Sequence, residues 1–174
     1  MEENENVNFT NSDENVAVEN YLSPEEQAAM IEKARFEQKL PFGIVAGLIA
    51  ALVMAAAWAA ITVTTEYQIG YMAIAVGFVV GIAVRYAGKG VDMIFGISGA
   101  ILALIGCLLG NFLSQVGFAT LEFGVPFFEA LKTLAEPSIF VEIMKESFSG
   151  IDLLFYGIAI YEGYRFSFLQ LSKG

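Results

Sequence analysis

Histidine is absent from the 174 residues, and cysteine occurs once, as Cys107. The first absence removes the commonest transition-metal ligand, the usual general base and the usual axial haem ligand together. A single thiol excludes an intrachain disulfide and any Cys-x-x-Cys redox pair. The patterns H-E-x-x-H, G-x-S-x-G and the glycine-rich phosphate loop are missing too, so no catalytic residue, metal or cofactor is expected and an enzyme is disfavoured. Basic residues are scarce, 9 Lys and Arg against 19 Asp and Glu for a net charge of −10, which argues against nucleic acid as a partner. The basic, then apolar start of a cleavable secretory signal is also lacking, because an acidic polar stretch comes first. The first apolar block is therefore expected to act as an uncleaved anchor.

What is present is apolar. Hydrophobic residues make up 56% of the chain and the mean hydropathy is +0.62, above the roughly 45–50% apolar share of soluble domains. They fall in uninterrupted blocks, for which lipid is the natural solvent, since a spanning helix needs about 20 apolar residues. The reading is an all-α, polytopic helical membrane bundle of about four transmembrane helices, with the lipid bilayer as its first partner and amphipathic interfacial helices beside it.

Residues 1–22 carry Glu, Asp and Asn without Lys or Arg and read as a disordered acidic cytoplasmic tail. Residues 23–40 open with Ser23-Pro24-Glu25-Glu26, a capping-box pattern that predicts a short cytoplasmic or interfacial helix. Residues 41–114 hold three transmembrane helices, near Pro41–Val63, Ile69–Val84 and Met93–Leu113. Residues 115–149 mix Glu122, Glu129, Lys132, Glu136, Glu142, Lys145 and Glu146 with apolar residues and predict an outer amphipathic helical segment, with helix starts at Pro126 and Pro137. Residues 150–174 supply a fourth transmembrane helix and a short C-terminal tail. With both termini cytoplasmic, Lys33, Arg35, Lys39, Arg85, Lys89, Arg165 and Lys173 lie inside and only Lys132 and Lys145 outside, as the positive-inside bias requires.

Glycine spacing repeats between the second and third blocks: Gly70, Gly77, Gly81 and Gly99, Gly106, Gly110. Offsets of 0, 7 and 11 residues return to within about 20° of one direction on a helix. Each set makes a stripe through which helices approach closely, and Gly43-x-x-x-Gly47 adds a third small-residue pair. An antiparallel hairpin packed through the two stripes is expected. Polar groups at membrane depth are costly and draw a functional suspicion: Arg85, Asn111, Asp152, Glu162 and Arg165. An ion pair of Glu162 with Arg85, or snorkelling, is the structural reading, and a proton or ion relay through Glu162, Asp152 and Asn111 is the functional one. On the last block Asp152, Tyr156, Ala159 and Gly163 form one stripe, with Glu162 on its flank.

The stretches GYMAIAVGFVVGIAVRYAGKG (Gly70 to Gly90), FGISGAILALIGCLLGN (Phe95 to Asn111) and DLLFYGIAIYEGYRFS (Asp152 to Ser167) resemble segments of small, uncharacterised bacterial multi-pass inner-membrane proteins with glycine-striped helices. The resemblance implies a bacterial inner membrane and a bundle of this kind, and carries no activity to any residue. Function is then expected to be that of an integral membrane scaffold or accessory subunit working through helix packing and docking surfaces, with a membrane or envelope protein as partner or a homo-oligomer as its form. The alternative is a small transporter or channel subunit using Glu162, Asp152 and Asn111.

Overall fold

A computed structural model of the protein describes residues 24–67 and 70–169, and among them every regular element is an α-helix. Seven follow in order: α1 (Pro24–Phe36), α2 (Leu40–Thr65), α3 (Tyr71–Gly88), α4 (Met93–Phe123), α5 (Phe127–Leu134), α6 (Pro137–Ser147) and α7 (Gly150–Phe166). The acidic tail, the Ser23 cap, and Lys173 with the C-terminal tail lie outside the described residues.

Three of these helices, α2, α3 and α4, are long and apolar enough to cross a membrane. The surface of α2 suits lipid: its most apolar stretch is only 22% buried, and Phe42, Val45, Ile49 and Val53 project from it. Water would make such a face costly, whereas lipid would not. The expected fourth span corresponds to α7, which at 17 residues is not among these three.

Small residues set the topology. Gly43 lies against the Val84 carbonyl and Gly88, so α2 and α3 are antiparallel. Gly47, Ala51, Trp58 and Val63 of α2 meet Leu102, Gly106, Gly110 and Gly117 of α4 in ascending order, which makes those two parallel. Along α3, Gly70, Gly77 and Gly81 meet Phe155, Ala159 and Gly163 of α7, again in ascending order. The result is an up-down-up-down bundle of α2, α3, α4 and α7 around Trp58, Val76, Val80, Leu102, Cys107 and Tyr156.

The expected hairpin packed stripe against stripe is not what forms. Gly77 and Gly81 turn to α7, Gly99 also faces α7 at Gly163 and Ser167, and Gly106 and Gly110 receive Ala51 and Trp58 of α2. The physical reason is that a glycine stripe is a slot that accepts whichever neighbour brings backbone, a small residue or a flat ring, so the spacing alone does not choose the partner. The α3–α4 contact instead uses Val76 over Gly106 and Phe95 over Gly88 and Gly90.

The third block also runs further than expected. Helix α4 has 31 residues, about 46 Å at 1.5 Å per residue, against a hydrocarbon core of about 30 Å. Its last turns are stabilised by Val116, fully buried, and by Ala130 of α5, with Leu131, Leu134 and Met144 packed around them. The α5–α6 pair is thus mounted on the end of α4. On α6, Phe140 stacks edge-on to Phe112 with centroids 5.1 Å apart and Met144 faces the same cluster, while Glu142, Lys145 and Glu146 stay exposed.

Candidate functional site

The densest polar constellation sits where α1 runs into α2, beside the α3–α4 turn. Lys39, exposed just before the apolar run, donates its backbone N–H to the Gly88 carbonyl at 2.8 Å. The side-chain carbonyl of Gln38 accepts from the backbone N–H groups of Val91 (3.0 Å) and Asp92 (3.1 Å), and its amide donates to Asp92 Oδ2 at 2.8 Å. One side chain therefore satisfies two loop amides and a carboxylate oxygen. Asp92 is the residue before the first turn of α4, where an aspartate ordinarily caps its own helix. Here it makes no side-chain cap, and its other oxygen binds Arg35 Nε at 3.0 Å.

Two further ties complete the junction. Lys89 closes α3 in the left-handed conformation, φ 49°, and its Nζ reaches Glu37 Oε2 at 2.8 Å. That hydrogen bond, with the Lys89 charge, holds the Glu37 carboxyl below the usual carboxylate range. From the other end of the chain Leu169 donates its N–H to the Gly90 carbonyl at 2.9 Å. The segment Gly88–Asp92 thus anchors both α1 and the residues after α7. Sequence reasoning assigns no role to Gln38, Glu37 or Asp92. The usable signal is Gln38 and Asp92 each standing next to an apolar block, where a polar side chain has loop amides within reach.

The residues singled out from the sequence scatter. Asn111 is 1% exposed and engages Tyr156, whose hydroxyl donates to the Cys107 carbonyl at 3.3 Å. Asp152 sits in the first turn of α7, 6% exposed, and its Oδ2 accepts from the Ser149 N–H (2.8 Å) and hydroxyl (2.9 Å). Glu162 lies on the same helix ten residues later, about 15 Å away.

The expected Glu162–Arg85 pair is absent among the described residues, whose ion pairs are Arg35–Asp92 and Lys89–Glu37. Arg85 instead lines a shallow pocket with Glu37 and Lys89, and Arg165 lies over the rings of Tyr161 and Phe166 at 6.0 and 5.8 Å. Both arginines are in the last turns of their helices, where the carbonyl ends favour a cation. Among the described residues no group of His, Cys, Asp and Glu could hold a metal ion. Glycines 43, 47, 70, 77, 81, 99, 106 and 110 all press against neighbouring helices or rings.

Neither a protein family, a curated protein nor a solved structure matches this chain.

Proposed function

We propose that the chain is an integral scaffold or accessory subunit of a bacterial inner membrane, with four spans and both termini cytoplasmic. The fourth span is α7: it runs beside α3 for nearly its full length, and 17 and 18 residues correspond to about 25 and 27 Å, close to the hydrocarbon thickness. Orientation follows from charge. Lys33, Arg35, Lys39, Arg85, Lys89 and Arg165 gather at the end that holds the Gly88–Asp92 junction, whereas Lys132 and Lys145 lie on α5 and α6 at the other.

The observation that carries the docking role is the outer surface of the α4 extension and α5–α6. Phe128 is 80% exposed, Phe123 71% and Leu121 66%, a clustering of large apolar groups that a lone surface residue does not produce. Asp152 is meanwhile hydrogen-bonded to Ser149 and Asn111 to Tyr156. Capture of the tagged protein in mild detergent is expected to yield a stoichiometric heterologous membrane or envelope protein, and F123S/F128S is expected to lose it while keeping its helical circular dichroism. No partner, or one indifferent to the double variant, overturns the reading. The transporter alternative draws on the buried Asn111–Tyr156 contact, and proteoliposome flux abolished by Glu162→Gln or Asp152→Asn would establish it instead.

A further inference from the structure

The cavity at the junction of the α2–α3 connection and the start of α7, about 430 Å³, is lined by Tyr67, Tyr71, Phe155, Ser149 and Asp152 among others. Its chemistry is uneven. Three of these are aromatic rings, and Tyr71 and Phe155 meet edge to face at 5.4 Å between centroids. Tyr67 and Tyr71, 74% and 71% exposed, stand at the mouth. The one charged group is the Asp152 carboxylate, 6% exposed, and among the described residues no Lys or Arg pairs with it. Ser149 supplies hydrogen bonds to Oδ2, and the N-terminus of α7 supplies partial positive charge. These ties are the reciprocal capping box of α7, and they leave the carboxylate without a cation from the described residues of the chain.

The geometry points to a binding site for an organic ammonium group, such as the quaternary ammonium of choline or a protonated amine. Aromatic rings attract a diffuse cation through their negative faces, and a buried carboxylate adds the directional charge. A bare divalent cation is the wrong occupant, because it needs several hard oxygen ligands and finds one carboxylate among rings. An anion is repelled by Asp152. The ammonium group can come from the headgroup of a zwitterionic lipid or from a soluble amine, since the mouth lies at the end of a span.

The test uses the full chain in maltoside micelles, titrated with tetramethylammonium, choline and 3,3-dimethylbutanol, the neutral analogue of choline, with binding read by saturation-transfer NMR. Both cations are expected to bind about tenfold more tightly than the neutral analogue, the scale of a desolvated cation–aromatic interaction. Asp152→Asn, which keeps an oxygen for the Ser149 hydrogen bonds but loses the charge, is expected to abolish the difference. Tyr71→Leu, at the exposed mouth, weakens binding, and Tyr71→Phe restores it, so the outcome stands even if the Asp152 variant fails to fold. Competition by short-chain phosphatidylcholine but not phosphatidylglycerol, stronger than by choline itself, identifies a lipid source; choline as the stronger competitor identifies a soluble one. Equal binding of the neutral analogue, no binding by any ammonium probe, or wild-type affinity in Tyr71→Leu overturns the site.

Discussion

The bundle interior and the Gly88–Asp92 junction are held by opposite means. Inside, Gly77 against Ala159 and Gly99 against Gly163 bring backbones together, and cohesion comes mainly from dispersion and shape, with the Tyr156 hydroxyl on the Cys107 carbonyl as a polar tie between helices. At the junction, four residues before α2 and one after α7 tie down a five-residue segment through hydrogen bonds and ion pairs. Packing suits a solvent that cannot compete for dispersion, and polar ties suit the boundary where loop amides would otherwise go unpaired. The two regions should therefore respond differently to mutation.

The largest effect is expected inside. A Cβ on Gly77 would lie 2.8 Å from the Ala159 Cα, a backbone atom that cannot rotate away, so Gly77→Ala should cost about 2–3 kcal/mol, the upper range for overpacking. Nothing lies within 4 Å of a Cβ on Gly157, and Gly157→Ala should instead stabilise by about 0.5–1 kcal/mol through helix propensity. Thermal melts of both variants in detergent check the contrast, and equal responses would break it. An intermediate, local effect is expected at the junction: Gln38→Ala leaves the Val91 and Asp92 amides without their acceptor and should cost about 1–2 kcal/mol. Hydrogen exchange should accelerate at those amides while the amides of α4 near Cys107 remain protected.

The smallest effect belongs to the exposed Lys89–Glu37 pair. Because the folded-state pKa of Glu37 is depressed, its contribution is present above the ordinary carboxylate range and is lost as pH falls through the folded-state value. The difference in melting temperature between wild type and Glu37→Gln should shrink on acidification and with added salt. A difference that grows on acidification would reverse the assignment.

What could be read in advance divides along the same line. Uninterrupted apolar blocks are a long-range signal, so the helical spans of α2, α3 and the core of α4 follow from composition alone. The stripe of Asp152, Tyr156, Ala159 and Gly163 on α7 is the set of residues buried there, because helical period fixes which side chains share a face. Which neighbour fills a glycine slot is another matter, since Gly77 offers the same surface to α4 as to α7 and three-dimensional arrangement decides. The end of α4 is hidden for a related reason: the outer amphipathic segment is expected from residue 115, yet Gly117 receives Val63 and the helix continues. Gln38 is invisible because its partners are 53 and 54 residues away, and Glu162 and Arg85 suggest a pair because spacing gives depth along each helix and which side chains share its face, but not which neighbour that face meets.

Thiol labelling of single-cysteine variants in a Cys107→Ala background tests the four-span bundle most directly. With a membrane-impermeant reagent added outside intact cells, Phe128→Cys and Gly150→Cys should react, whereas Phe36→Cys and Leu169→Cys should react only after the membrane is opened. Labelling of Gly150→Cys and Leu169→Cys from the same side would mean that α7 does not cross, and the account of the bundle would be wrong.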